Sequence, residues 1–208
     1  MVLQAGGSAR DTGLGAKGSQ TRRAVLKAAI ARFGREGFRS TSVADIARDA
    51  SVGGTVAYAY FASKEALFLA AVDEDAAALI EEAVGTVLAE QVEDWPQKLI
   101  FTLIGALDNH PLARRLLAGL EPDVTARVLE IPALEGLRKA SAQRLAADQA
   151  AGRVRPDIDP VAVARGTVAI MLSLLMSVVQ LGPSATARYA ADVAAVLKAA
   201  IEPTPGAP

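Results

Sequence analysis

The chain has 208 residues, 51% of them hydrophobic, and a formal net charge of −1 at pH 7. These values fit a soluble globular protein of one large or two small domains that can bury a substantial core. The absence of Cys excludes disulfides and thiolate metal sites, and the lack of a secretory signal predicts a cytoplasmic location.

Charge is unevenly distributed along the chain. Residues 1–62 contain nine Lys/Arg and four Asp/Glu, a net charge of +5, so the remaining residues carry −6. A basic N-terminal third is typical of nucleic-acid binding, because neutralised phosphates supply much of the affinity. An ordinary solvated helix surface is the alternative explanation.

The first 18 residues are rich in Gly, Ala and Ser and lack hydrophobic periodicity, which predicts a disordered tail over 1–18. Apolar residues at helical spacing then predict a helix over 20–36. Gly37 is expected to end this helix in the left-handed conformation, with Phe38 packing back on Phe33.

The stretch 41–68 predicts a helix-turn-helix followed by the start of a longer helix. Its first helix carries small or apolar residues on one face, at Val43, Ile46, Ala47 and Ala50. Thr41 or Ser42 can cap this helix. The second helix, 55–61, has about two turns and is too short to be stable alone. Ser63 is the predicted N-cap of the third.

These residues carry a family resemblance. The segment 21–72 resembles the DNA-binding domain of the tetracycline-repressor (TetR) family, through the features Thr41, Ala50-Ser51-Val52-Gly53, Tyr58 to Phe61 and Ser63-Lys64-Glu65-Ala66-Leu67. The resemblance implies an all-α fold with an N-terminal three-helix DNA-binding domain, 19–62. A larger helical domain for effector binding and dimerisation, 63–201, would follow, with a disordered end at 202–208.

Two positions depart from the family pattern. Ser51 stands where the family usually has Gly, so a positive φ there would store strain of order 1 kcal/mol. Gly53 replaces the usual capping Ser and removes a side chain that can touch phosphate.

Nine residues are candidate DNA contacts: Thr41, Arg48, Gly54, Thr55, Val56, Tyr58, Ala59, Tyr60 and Lys64. Thr55 can bond a base or a phosphate, and Val56 can contact a thymine methyl. Thr41, Lys64 and the two tyrosines are better placed for phosphates, which position a protein without specifying sequence. The alternative for the tyrosines is that their rings pack and their hydroxyls meet water.

The rest of the chain reads as further helices. They are predicted over 63–90, from Asp94-Trp95-Pro96 onward, and over 111–120, 122–130, 133–151, 161–181 and 184–201. The run 99–107 is nearly all apolar, which predicts a helix buried on all sides.

The last two helices have surplus apolar surface, which suggests a homodimer built as a four-helix interface. The candidate interface residues are Gly166, Ala169, Ser173, Ser177, Tyr189, Val193, Val196, Leu197 and Ala200. Packing of both helices inside one subunit is the alternative. A membrane span over 161–181 is a second alternative, but the apolar run is shorter than the roughly 20 residues a span requires.

A small apolar effector is compatible with the helical body. The candidate pocket residues are Trp95, Leu99, Phe101, Leu103, Leu107, Gln143, Met171 and Leu175. Each of them can equally be plain core.

Signatures of catalysis, nucleotide binding and metal binding are absent, so no enzyme activity, cofactor or metal site is predicted. His110 reads as a capping or surface residue, and Asp73-Glu74-Asp75 as a solvated helix face. The leading hypothesis is therefore a dimeric DNA-binding repressor, released from a palindromic double-stranded operator by an effector, with no membrane partner. The alternative is a helical enzyme or ligand-binding protein whose basic N-terminal domain is incidental.

Overall fold

A computed structural model describes residues 9–87, 94–125 and 130–203, and every regular element within these ranges is helical. The helices are α1 (Ala9–Glu36), α2 (Val43–Asp49), α3 (Gly54–Tyr60), α4 (Lys64–Val87), α5 (Trp95–Ala106), α6 (Pro111–Leu117), α7 (Pro122–Thr125), α8 (Pro132–Ala150), α9 (Pro160–Leu181) and α10 (Pro183–Ile201). A 3₁₀ turn, Leu107–Asn109, follows α5. The predicted all-α fold is confirmed.

The chain divides into two compact units, Met1–Val72 and Asp73–Pro208. The division falls inside α4, beyond the boundary expected after residue 62. Its physical reason is an aromatic cluster in the first unit, where the Phe68 ring lies 5.0 Å from both Phe33 and Phe38. Edge-to-face pairs of this kind add about 0.5–1.5 kcal/mol beyond area burial, so the first turns of α4 belong to the first unit.

The start of α1 differs from the predicted disordered tail. Residues 1–8 lie outside the described residues, but 9–18 are helical and continuous with the rest of α1. Extending an existing helix adds backbone hydrogen bonds without a new nucleus, so this segment needs no hydrophobic periodicity of its own. At the other end, α10 stops at Ile201, and 204–208 lie outside the described residues.

Glycines end two helices in the way predicted. Gly37 follows α1 with φ 84°, and Gly152 follows α8 with φ 73°. The predicted packing of Phe38 on Phe33 is also confirmed, with ring centroids 6.1 Å apart. One other end differs slightly, since α6 stops at Leu117. The predicted continuations of α7 beyond Thr125 and of α4 beyond Val87 fall on 126–129 and 88–93, which lie outside the described residues.

In the second unit, α9 packs against α8, α10, α5 and α6. The core around it contains the fully buried side chains Trp95, Leu99, Leu112, Leu145, Val168 and Leu174. Because it packs against four other helices, α9 is the central helix of this unit. Burial of such core side chains contributes about 1.5–3 kcal/mol each to stability.

The prediction that α5 is buried on all sides is wrong. Phe101 is 55% exposed and Gly105 is exposed, whereas Leu99, Ile100 and Leu103 are buried. A helix that is apolar all round carries no polar stripe to mark its outer face, so the sequence alone did not reveal which side meets solvent.

Within the described residues, α9 is the one helix long and apolar enough to cross a membrane by length and composition. It has 22 residues, but Arg165 and Gln180 stand inside it, so the apolar run between them is shorter than the roughly 20 residues of a span, as predicted. Its burial argues for a different role, because Ala164, Val168, Met171 and Leu174 lie in the core of the second unit.

Ser51 has φ 56°, the one positive φ of a non-glycine residue in the described ranges. We predict that Ser51→Gly raises the free energy of unfolding by roughly 0.5–1 kcal/mol, because Gly adopts this conformation without the steric cost. Urea unfolding followed by circular dichroism measures the change. Ser51→Ala is the control because it keeps the strain; a Gly variant no more stable than the Ala variant would contradict the prediction.

Candidate functional site

The short helix α3 presents one exposed surface of the first unit. Ala57 is fully buried on its inner side, and Phe61, which follows the helix, is 6% exposed. Gly53 is the N-cap and provides no side-chain hydrogen bond, as its replacement of a capping Ser predicted. The position of α3 therefore depends on packing through Ala57 and Phe61 and on the turn before it.

Five of the candidate DNA contacts line this surface: Gly54, Thr55, Val56, Tyr58 and Ala59 are all exposed. Tyr58 is 55% exposed, which leaves its hydroxyl available to a ligand outside the unit. A helix that offers one Thr, one Val and one Tyr has few groups for hydrogen bonds to bases.

Two further candidates are partly buried. The Tyr60 hydroxyl lies against α1 at Gly18, where the side chain of a larger residue would begin only 3.5 Å from the hydroxyl oxygen. The Lys64 Nζ lies 4.3 Å from the centroid of the Phe38 ring, a cation–π contact that holds the ammonium at the start of α4.

The structure contradicts the assignment of Thr41 as a phosphate contact. Thr41 is 3% exposed, and its hydroxyl donates a 2.8 Å hydrogen bond to the Gly37 carbonyl. The N-cap of α2 is Ser42 instead, whose Oγ accepts from the Asp45 N–H at 3.1 Å. Thr41 therefore fixes the loop between α1 and α2.

Arg48, another candidate contact, is exposed and forms an ion pair with Asp45 one turn earlier on α2. The Ser42 hydroxyl and the Arg48 guanidinium hold the pKa of Asp45 below its usual range. The pair orients the guanidinium beside the turn that leads to α3.

A bidentate ion pair clamps α1 to α2. The Arg32 Nε and Nη2 donate to the two carboxylate oxygens of Asp49 at 2.6 and 3.1 Å, and Nη1 donates to Glu36 at 3.0 Å. The hydrogen bond to Asp49 raises the pKa of Arg32, and the same bond holds the pKa of Asp49 below its usual range. Both groups stay charged at neutral pH, so the clamp persists.

Sequence reasoning missed one cation beside α3. The Arg22 guanidinium carbon lies 5.2 Å from the centroid of the Phe61 ring, and Arg22 is exposed on α1. The ring keeps a positive charge next to the end of α3, although no fixed spacing in the sequence relates the two residues.

The start of α4 has the predicted cap. The Ser63 Oγ accepts from the Ala66 N–H at 3.1 Å. Glu65 accepts from its own backbone N–H and from the Ser63 hydroxyl, which together hold its pKa below the usual range. Two N–H groups of this helix end, those of Glu65 and Ala66, are thus engaged within the chain.

A small cavity of about 60 Å³ lies within the second unit. Its walls come from α4, α5, α6, α8 and α9 together with Ile131, and all described lining residues are apolar: Ala76, Leu79, Ile80, Leu103, Ala113, Leu116, Leu117, Ile131, Leu134, Leu137, Val168, Met171, Leu172 and Leu175. Apolar walls of this kind offer water few hydrogen-bond partners, so the cavity suits an apolar occupant.

Three of the candidate pocket residues, Leu103, Met171 and Leu175, line this cavity. Leu99 and Leu107 are plain core, in accord with the alternative stated for them. The assignments of Phe101 and Gln143 are wrong, since both side chains point away from the core and are exposed.

Trp95 lines a second, larger cleft of about 400 Å³ with a charged rim. There the buried Asp148 carboxylate accepts from Arg144 Nε at 2.9 Å and from Arg153 Nη2 at 2.6 Å. The rim also carries Lys198 paired with Glu202, so acidic and basic groups alternate around the cleft.

A buried polar cluster that the sequence did not reveal joins α4 to α6. The Asp75 Oδ2 accepts from the N–H groups of Leu112 at 3.0 Å and Ala113 at 2.8 Å, and Asp75 Oδ1 lies 3.0 Å from His110 Nδ1. The other ring nitrogen of His110 lies 3.3 Å from Glu82 Oε2. Asp75 is 4% exposed, so it is not part of the solvated helix face expected. His110 is 7% exposed and is the N-cap of α6, the first of the two roles expected for it.

This cluster caps α6 from another helix. Pro111 has no N–H, and the next two N–H groups, those of Leu112 and Ala113, would be orphans without a cap. His110 is the N-cap but gives no side-chain cap, and Asp75 takes that place. Hydrogen bonds to a charged acceptor contribute about 1.5–3 kcal/mol each, so Asp75 is central to the position of α6.

Helices α9 and α10 expose much of the candidate dimer face. Gly166, Ala169, Ser173 and Ala200 are exposed, Ser177 and Val193 are half-buried, and Tyr189 and Val196 are 48% and 63% exposed. The exception is Leu197, which is 8% exposed and lines the charged cleft of its own chain. Its assignment to the interface is corrected, because its position on α10 turns it inward.

Comparison with known proteins relates both units to regulators. Residues 25–71 match the model of bacterial regulatory proteins of the tetR family. Over 155 residues the chain is 33% identical to the A-factor receptor protein of Streptomyces griseus, a match that covers 74% of this chain. The chain spans about half of that curated relative, 53% of its length.

Solved structures share the fold. A gamma-butyrolactone receptor, an ArpA-like protein, superposes with a TM-score of 0.52 at 25% identity over 89% of this chain and 90% of that one. A TetR transcriptional regulator from Chloroflexus aurantiacus superposes with a TM-score of 0.65 at 22% identity, over 89% of this chain and 98% of that one. The likeness extends well beyond the helix-turn-helix.

The clamp between α1 and α2 makes stability depend on pH. The pKa of Asp49 in the folded chain lies below its ordinary value of 3.8, so the ion pair stabilises fully above that value and its contribution is lost as pH falls through the folded pKa. We expect Asp49→Asn to be less stable than the unsubstituted protein at about pH 6, and the gap in unfolding midpoint to narrow towards about pH 3.

Thermal unfolding across this range measures the gap. The pKa values of Asp45 and Glu65 are also lowered, but both residues are present in both proteins. Their contributions to the pH dependence therefore cancel in the difference between the two unfolding midpoints. A gap that stays constant with pH would show that the clamp does not contribute.

Proposed function

Because the chain belongs to the tetR family of bacterial regulatory proteins, we propose that it is a homodimeric transcription repressor. It binds a roughly palindromic operator through two copies of the helix-turn-helix and leaves the DNA when a small apolar effector binds. The observation that carries the proposal is α3, a short helix whose inner residue Ala57 is fully buried and whose outer surface is exposed.

DNA binding by this surface would rest mainly on phosphates. Lys64 and Arg22 are held over aromatic rings of the first unit, and Arg48 is oriented by Asp45. Thr55 and Val56 are the candidates for reading bases, and Tyr58 is a candidate phosphate contact. The protein acts by binding and not by catalysis, in the cytoplasm where its operator is.

Pairing through α9 and α10 would place two such surfaces on one DNA duplex. Two-fold symmetry requires the recognition helices to meet the major groove at a fixed spacing. The small residues Gly166, Ala169 and Ser173 form an exposed stripe on α9, which allows a second helix to approach closely. Val196 adds apolar surface on α10.

The effector would occupy the apolar cavity of the second unit. The proteins of the comparison include an A-factor receptor and a gamma-butyrolactone receptor, so a gamma-butyrolactone with an apolar side chain is the first compound class to test. The apolar walls suit such a side chain, and Met171 can adapt to its shape because methionine is flexible. Sites for small molecules measure about 300–1,000 Å³, so the cavity must enlarge on binding.

Selection from random double-stranded DNA by the purified full-length protein tests operator binding. We expect enrichment of one inverted-repeat sequence, whose affinity falls steeply with added salt. Failure to enrich any inverted repeat would overturn the proposal.

On that operator, Lys64→Ala should reduce the slope of log affinity against log salt by about one for each half-site, because each lost phosphate contact releases fewer counterions. Lys139→Ala, on an exposed part of α8, is the matched control and should leave the slope unchanged. If Lys64→Ala and Lys139→Ala had the same slope of log affinity against log salt, Lys64 would not be a phosphate contact.

For the dimer, we expect Ala169→Glu to convert the protein to a monomer, because a charge would be buried in a close helix contact without a partner. Analytical ultracentrifugation measures the mass. The control is Ala146→Glu, at an alanine that is also exposed but lies on α8, and this variant should remain dimeric. A dimeric Ala169→Glu protein would place the interface elsewhere.

A further inference from the structure

The two helices joined by the buried carboxylate of Asp75, α4 and α6, also line the apolar cavity. Ala76, next to Asp75 on α4, lines the cavity. Ala113 on α6 also lines it, and the Ala113 N–H donates the 2.8 Å hydrogen bond to Asp75. Whatever changes the distance between α4 and α6 at the cavity therefore also changes this hydrogen bond.

Among the helices that line the cavity, α6 is the easiest to displace. It has seven residues, whereas α5, α8 and α9 have 12, 19 and 22. A helix of seven residues is not stable alone, so its place depends on side-chain packing and on the cap that Asp75 provides. Because the cavity holds only about 60 Å³, a ligand must push a wall outward, and α6 yields first.

We propose that Asp75, His110 and Glu82 form a latch that holds α6 against α4 in the DNA-binding state, and that effector binding opens it. The proposal rests on the proposed function, since it names the device by which the cavity controls operator affinity. Asp75 is the main positioning residue because it accepts both N–H groups of α6. His110 bridges the Asp75 and Glu82 carboxylates and so fixes the Asp75 rotamer.

The latch shares a helix with the DNA-binding unit. Asp75 and Glu82 lie on α4, the same helix that begins at Lys64 with the cap formed by Ser63. An effector that binds better to the open latch must lower operator affinity, and by linkage anything that opens the latch without effector does the same.

Three substitutions test the latch in the full-length protein without any effector. Asp75→Asn keeps the side-chain shape but removes the charge, and His110→Gln removes the bridge. Glu82→Gln changes a side chain that is 49% exposed, so it is the variant least able to disturb folding. Asp148→Asn is the matched control: this carboxylate is also buried and accepts hydrogen bonds from the side chains of Arg144 and Arg153, but it lines the charged cleft instead of the apolar cavity.

Operator affinity is measured by fluorescence anisotropy over a range of salt concentrations, with active fractions determined by stoichiometric titration. We expect Asp75→Asn to weaken operator binding at least about fivefold, His110→Gln to a smaller extent and Glu82→Gln least, all with an unchanged salt slope. An unchanged slope shows that no phosphate contact is lost. Asp148→Asn should lower the unfolding midpoint and leave the affinity within about twofold.

Amide hydrogen exchange provides the second measurement. The Leu112 and Ala113 N–H groups should exchange faster in Asp75→Asn than in Asp148→Asn, because they lose a charged acceptor.

Operator affinity of Asp75→Asn that is unchanged or tighter, in a folded protein, would overturn the latch and leave the proposed function standing. Equal weakening by Asp148→Asn would also overturn it, since general destabilisation would then explain the effect. An unsubstituted protein that binds no inverted repeat would overturn the proposed function, and the latch with it.

Discussion

The requirement that most shapes the first unit is that α3, a helix of seven residues, cannot hold itself in place. Its N-cap lacks a side chain, so the anchors are tertiary: Ala57 and Phe61 are buried, and the Val52 N–H bonds the Ala47 carbonyl at 2.9 Å across the turn. The left-handed Ser51 stores strain in this turn. The geometry of the exposed α3 surface is thus set by its neighbours, and the strain is accepted because packing fixes the turn.

In each unit a carboxylate holds one helix against another. Asp49 on α2 receives the Arg32 guanidinium of α1, and Asp75 on α4 receives the free N–H groups of α6. The two differ in environment: the first pair is partly solvated, so salt and acid weaken it, whereas Asp75 is buried and its loss would leave two N–H groups unsatisfied. The buried interaction is the more costly to break and therefore the better suited to separate two states.

Features set by neighbouring residues could be predicted from the sequence, whereas contacts between residues far apart in the chain could not. Helix ends were readable because Gly37, Gly152 and the prolines act through neighbouring backbone groups. The helical segment 9–18 escaped because helix extension needs no apolar pattern. The side of α5 that exposes Phe101 was invisible in an all-apolar run. Asp75 and His110 lie 35 residues apart, and no spacing rule relates a carboxylate to the N–H groups it will cap. Thr41 looked like a contact because hydroxyls serve equally as caps, loop anchors and phosphate ligands.

On the proposed function, few base contacts on α3 would make pairing through the second unit decisive for specificity. A good base contact discriminates by about 1–3 kcal/mol, and α3 offers Thr55 and Val56 as candidates, so one copy falls short of the roughly 4–10 kcal/mol that separates specific from non-specific binding. On the proposed function, two half-sites must be read together, and their spacing becomes part of the recognition. A regulator of this kind needs no large movement for release: a shift of α4 that spoils the fit at one half-site removes half of the base contacts. The small cavity and the short, capped α6 beside it are suited to such a modest displacement.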